Sequence, residues 1–179
     1  MLEQREKIID LIRNGNVSHI VQGIELADVL DFLDPRNPDN DRLIKNAQFV
    51  VYKGLREALG NQDKDTWNKL VKLNKDYNIV DKRYANTWHG RARIGIDLAK
   101  SLLKQAGLTY NKPSFGSGGY IVSAPQYYDP KDNLKGKVER LERVLDQWDG
   151  FVYRFQFDEQ EDKFGILNLD IDYSLIGIK

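Results

Sequence analysis

The sequence predicts an α+β fold: a helical N-terminal two-thirds with one antiparallel hairpin, then a helix and a C-terminal antiparallel β-hairpin. Three observations carry that expectation. Apolar residues recur at helical spacing from the N-terminus to about residue 106. Strict alternation of apolar and polar residues occupies 152–157 and 167–173, the pattern of strands with one face covered. Helical segments precede the strands rather than alternating with them, which favours α+β over a βαβ arrangement.

In chain order, residues 2–13 have helical patterning. Residues 26–33 place Leu26, Val29, Leu30 and Leu33 at i, i+3, i+4 and i+7, the stripe of an amphipathic helix. Asp34-Pro35 stops it, and DPRNPDND over 34–41 is a turn-rich connector. Asn40 or Asp41 can cap the next helix by accepting a hydrogen bond from its free N–H groups. That helix, 42–59, carries Leu43, Ala47, Val50, Val51, Leu55 and Ala58 on one side, and Gly60 ends it. Asp63 or Asp65 starts another, with Trp67, Leu70 and Val71 facing inward. A helix over 91–106 has Ile94, Leu98, Leu102 and Ala106 as its stripe and Gly107 as its cap. LTY and GYIVSA then read as short strands joined by NKPSFGSG. A helix over 136–149 shows Val138, Leu141, Val144, Leu145 and Trp148 on one face. The final hairpin turns at DEQEDKFG. At 179 residues and 20.7 kDa, the chain suits a single domain over 1–179 with a helical arm, 1–34, joined by the 34–41 connector.

Composition removes several chemistries. There is no cysteine, hence no disulfide, thiolate metal site or cysteine nucleophile. His19 and His89 are the only histidines, too few for a multi-histidine zinc site without carboxylates. Glu3, Glu6 and Asp10 interrupt the N-terminal apolar residues, unlike a signal peptide. No apolar run approaches the ~18 residues that a membrane helix needs. A cytoplasmic protein with no cofactor and no membrane partner is expected. SFGSGGY is glycine-rich, but no GK[ST] follows it and it enters a strand, so the nucleotide-binding fingerprints are not met.

The formal net charge is zero, with 27 basic and 27 acidic side chains. The zero hides an uneven distribution. Residues 1–41 hold four basic and nine acidic groups, residues 42–112 fifteen and six, and residues 113–179 eight and twelve. Exposed charges are screened beyond about 8–10 Å at physiological salt, so the local blocks matter more to a partner than the total. The basic block also holds Trp67, Tyr77, Tyr84, Trp88 and Tyr110. Its densest stretch, DKRYANTWHGRAR, sets Lys82, Arg83, Arg91 and Arg93 around Tyr84, Trp88 and His89. Basic side chains neutralise phosphates, and aromatic rings stack on unpaired bases. On the 91–106 helix, Arg93, Lys100 and Lys104 share one stripe with Asp97, and Lys112 extends the block. A DNA or RNA contact through Lys82, Arg83, Tyr84, Trp88, His89, Arg91, Arg93, Lys100, Lys104 and Lys112 is the expected function, that of a small non-enzymatic regulator. The same residues also fit an ordinary solvated surface whose aromatics belong to the core.

A helix, a glycine cap and a hairpin with a glycine-rich tip resembles the recognition helix and wing of winged-helix DNA-binding domains. With helices at 42–59 and 63–76 it gives three helices before the wing. The resemblance covers about 42–124 and rests on element order. The stretch from Tyr77 to Gly90 is longer than that family's tight turn between the second and third helices.

Two other functions compete. One is a protein-binding inhibitor or immunity-type protein of bacterial or phage origin, using the acidic C-terminal hairpin: the DEQED tip and the Asn168, Asp170 and Asp172 face. The other is a metal-dependent nuclease. Glu161-Asp162-Lys163 spells E-x-K with Asp149 upstream, a pattern that can hold Mg²⁺ and orient water, although here it falls in a hairpin loop. Asp170 and Asp172 could hold a hard cation or form a solvated face opposite Arg154. His89 lacks an identifiable carboxylate or serine partner, and His19 reads as structural or surface.

Overall fold

The computed structural model describes residues 2–86, 101–105, 109–111, 119–123, 134–148, 151–157, 164–171 and 173–178. The chain divides into two compact units, residues 1–94 with 176–179, and residues 95–175. The division lies away from the 34–41 connector.

The first unit is built from helices. α1 (Leu2–Arg13) buries Ile8, Ile9 and Ile12. Gly15, at φ +78°, turns the chain, and the Asn16 side chain accepts the Ser18 N–H at 2.8 Å to start α2 (Val17–Val29). α2 buries Ile20, Gly23, Ile24 and Ala27. This corrects the stripe expected at 26–33: Leu26 and Val29 are exposed, and the helix ends at Val29. The buried face is Ile20, Gly23, Ile24 and Ala27, and α1 approaches closely at Gly23. A Cβ on Gly23 would collide with the Ile12 side chain.

α3 (Asp41–Gly60) buries Leu43, Ala47, Val51, Tyr52, Leu55, Ala58 and Leu59. α4 (Lys64–Tyr77) buries Trp67, Leu70, Leu73 and Asn74, and is capped by Asp63, whose side chain accepts the Thr66 N–H at 3.1 Å. α3 packs on both α1 and α4. Each buried Leu, Ile or Val contributes about 1.5–3 kcal/mol, so the four helices hold the unit through one continuous apolar interior.

Two polar knots tie the loops to this interior. Asn40 does not cap α3 with its side chain, contrary to expectation. It is fully buried, accepts from Arg5 Nε at 2.9 Å and donates to the Asp31 and Asp34 carbonyls, both at 3.1 Å. The buried Arg5 guanidinium also lies 4.3 Å from the Phe32 ring centroid. The second knot is Asn74. Its Nδ2 donates to the carbonyls of Val80 (3.1 Å) and Ile176 (2.7 Å), and its Oδ1 accepts the Val80 N–H at 2.7 Å. The C-terminal residues are thereby pinned to α4. Gly177, at φ +82°, passes so close that a Cβ would lie 2.9 Å from backbone atoms of Val71 and Lys75.

α5 (Lys82–Asn86) is the last described helix of this unit. In the second unit, residues 101–105 are helical, with Leu102 and Leu103 buried. β1 (Thr109–Asn111), β2 (Gly119–Ser123), β3 (Phe151–Phe157) and β4 (Phe164–Ile171) form one antiparallel sheet in the order β1-β2-β4-β3. Between β2 and β3, α6 (Leu134–Asp146) buries Leu141 and Leu145, and Trp148 is buried just beyond its end.

The expected α+β class is therefore corrected. The unit with the well-defined core is helical, with no strand among its described residues. The buried stripes of α1–α4 pack on one another, and the strands belong to the other unit. The winged-helix order over 42–124 is overturned as well. α3 and α4 belong to the helical unit, whereas β1 and β2 belong to the other unit, where β2 also pairs with β4 (Gly119 opposite Asn168). A strand paired on both edges is not a projecting wing. Of the third helix of that order, expected at 91–106, only 101–105 lies among the described residues.

Candidate nucleic-acid interface

The basic block begins on α3 and α4, and much of its charge there is locally neutralised. Lys45 pairs with Asp41 at 2.7 Å, Lys53 with Glu57 at 3.8 Å, Lys69 with Asp65 at 2.9 Å and Lys72 with Asp76 at 2.6 Å, all four residues apart on one helix. The hydrogen bond to Asp76, backed by its charge, holds the Lys72 ammonium above the ordinary lysine range. Arg42 reaches across to Glu6 of α1 at 2.7 Å. These pairs are exposed, and such pairs are worth only about 0–1 kcal/mol each.

The charge changes character at α5. The chain leaves α4 through Asn78, in the left-handed region at φ 51°, and buries Ile79 and Val80. Asp81 then accepts the Tyr84 N–H at 2.7 Å, which opens the short helix. Lys82 and Arg83 are both exposed, with no ion-pair partner among the described residues. Tyr84 is half-buried and leans on Tyr52 of α3, with ring centroids 6.3 Å apart and planes at 58°. The Arg56 guanidinium lies 5.9 Å from the Tyr52 ring centroid. Two cations thus sit beside an aromatic pair that fixes the helix carrying them, and a third cation flanks that pair.

Of the ten residues expected to make the contact, the structure brings together Lys82, Arg83 and Tyr84. Lys104 is exposed on the helical residues 101–105 of the second unit. Trp88, His89, Arg91, Arg93, Lys100 and Lys112 lie outside the described residues. Trp67, counted among the aromatics of the basic block, is a core residue at 4% exposure and cannot stack on a base. Sequence reasoning missed Tyr52 and Arg56. Their spacing of four residues on α3 is a readable signal, whereas the Tyr52–Tyr84 contact joins distant parts of the chain and is not.

The nuclease residues Asp149, Glu161 and Lys163, Asp172, and the DEQED tip all fall outside the described residues, as do the side chains of Asn168 and Asp170. No three His, Asp or Glu side chains converge on a metal-binding point among the described residues. His19 is half-buried, and its Nδ1 has no hydrogen-bond partner among the described residues. No described helix is long and apolar enough to cross a membrane. No protein family, curated protein or solved structure matches the chain.

Proposed function

We propose that this chain is a non-enzymatic nucleic-acid-binding protein of the cytoplasm, a small regulator that contacts phosphates through its basic central block. The observation that carries the reading is the α5 cluster. Lys82 and Arg83 are exposed side by side, and the Tyr84–Tyr52 contact fixes the helix that bears them. A helix held in place costs little backbone ordering when its two cations meet a phosphate. The lysine pairs of α3 and α4 support a secondary role, because exposed pairs this weak can exchange a carboxylate for a phosphate.

The test is binding of fluorescently labelled duplex DNA, single-stranded DNA and single-stranded RNA, with Lys82→Glu/Arg83→Glu as the variant. Reversing both charges should lower affinity by at least about tenfold at low salt, with circular dichroism unchanged because both residues are exposed. Equal affinity of variant and parent would remove this surface from the contact.

A further inference from the structure

The turn between α1 and α2 carries a chemistry that neither helix uses. Asn14 follows the last residue of α1, and Gly15 comes next at φ +78°. This is the one Asn-Gly pair in the sequence. Both residues are exposed, and a Cβ placed on Gly15 would meet nothing within 4 Å. The Asn14 backbone N–H donates to the Leu11 carbonyl at 3.3 Å. The Asn14 side chain and the Gly15 N–H have no hydrogen-bond partner among the described residues. A side-chain amide and the next backbone nitrogen are thus both unheld at a helix end, where a helix opens most readily.

Asparagine is thermolabile because the nitrogen of the following peptide can attack its side-chain carbonyl carbon. The attack needs an unheld asparagine side chain, an N–H on the next residue, and no side chain there to crowd the approach. The asparagines whose side chains are described separate on these conditions. Asn40 and Asn74 are fully buried and held by hydrogen bonds. Asn16 accepts the Ser18 N–H at 2.8 Å, Asn37 the Asp39 N–H at 3.0 Å, and Asn46 donates to the Arg42 carbonyl at 2.8 Å. Asn37 also precedes Pro38, which has no N–H to attack with. Asn61, Asn68 and Asn78 are exposed, but Gln62, Lys69 and Ile79 follow them and set a side chain beside the attacking nitrogen. Among these asparagines, Asn14 alone meets every condition.

We propose that Asn14 is a site of spontaneous covalent modification, converting to aspartate and isoaspartate through a succinimide closed on Gly15. The Gly15 nitrogen bonds to the Asn14 side-chain carbonyl carbon, and the bond from that carbon to Nδ2 breaks. Nδ2 leaves as ammonia, taking up the proton lost from the Gly15 N–H. Water, the only co-reactant, then opens the ring at one of its two carbonyls. Opening at the side-chain carbonyl moves the main chain onto the former side chain's place only in the other outcome: here it restores the ordinary backbone and gives aspartate, whereas opening at the main-chain carbonyl gives isoaspartate. Both products set a carboxylate where a neutral amide stood, beside the Asn16 cap of α2. Isoaspartate also adds one methylene to the main chain. The extra length falls in the short connection 14–16, between helices that approach closely at Ile12 and Gly23, so the isoaspartate form is the less stable product.

The test is ageing of the full folded chain at physiological temperature, at neutral and at mildly alkaline pH, followed by peptide mass mapping. Asn14 should show the mass gain of an amide-to-acid conversion before Asn61, Asn68 or Asn78 does. The gain should come faster at the higher pH, because the attacking nitrogen must lose its proton. A protein isoaspartyl methyltransferase with a labelled methyl donor should label the same peptide. Asn14→Gln should lose both signals with circular dichroism unchanged, since the site is exposed and glutamine closes its larger ring far more slowly. The thermal midpoint of the aged parent should fall, and that of the aged variant should not. Asn14 left intact on ageing, conversion first at Asn61, Asn68 or Asn78, or equal conversion at position 14 in parent and variant would overturn the proposal.

Discussion

Asn74 shows how much one side chain can settle. Two of its three hydrogen bonds hold the N–H and carbonyl of Val80 and the third holds the carbonyl of Ile176, and the side chain is fully buried. Asn74→Ala strands those groups in the interior, and an unsatisfied buried polar group costs about 1–3 kcal/mol. A loss of about 3 kcal/mol is expected in urea unfolding, together with faster hydrogen exchange at the amide of Val80, whose partner is removed. Asp63 makes a prediction of a different kind. The hydrogen bond from Thr66 holds its carboxyl below the ordinary aspartate range. A depressed folded-state pKa means that the stabilisation is fully present above the unfolded value, near 3.9, and is lost as pH falls through the folded value. The unfolding midpoint should stay flat above about pH 5 and fall below about pH 4. Asp63→Asn, which still caps, should match the parent at neutral pH and lose less on acidification. An identical acid slope in parent and variant would exclude Asp63 from it.

Among the elements, α2 is the most instructive. Its sequence carries apolar residues on two sides: Ile20, Ile24 and Ala27 are buried, whereas Leu26 and Val29 face solvent. The stripe expected from Leu26 onward starts too late in the helix to include Ile20, Gly23 and Ile24, and so it takes the solvent face. What decides is the close approach of α1, a fact about a neighbour rather than about α2. Gly23→Ala tests it. On an isolated helix the change gains roughly 1 kcal/mol. In this packing the added methyl meets Ile12, and overpacking costs about 1–3 kcal/mol. A net loss in thermal unfolding is expected, and a net gain would show that α1 and α2 are not packed this tightly. α3 and α4 were far more legible. Single broad stripes, an aspartate before α4 and a glycine at the end of α3 fixed their bounds within a residue or so. The roles of Arg5, Asn40 and Asn74 were not legible, because polar residues buried by tertiary hydrogen bonds look like surface residues in a sequence.

At the scale of the whole molecule, the +9 centre of the chain became two different things. On α3 and α4 it is mostly a solvated helix face laced with four lysine–carboxylate pairs. At α5 it is an exposed cation pair beside an ordered aromatic contact. The expectation of a mixed α+β domain failed for a related reason. Local patterns identified the helices, but not that α1–α4 pack into a unit with no strand among its described residues. Half of the proposed interface was legible as the dense KRY stretch, while Tyr52 and Arg56, its support on α3, depend on a contact between distant segments. The most direct test of the nucleic-acid reading is the salt dependence of binding to a labelled duplex. The logarithm of the association constant should fall linearly with the logarithm of salt concentration, with a slope of about −0.9 per phosphate neutralised. A slope steeper than about −2 is expected for the parent, made shallower by about one in each of Lys82→Gln and Arg83→Gln. No binding at low salt, or a slope that neither substitution changes, would contradict it.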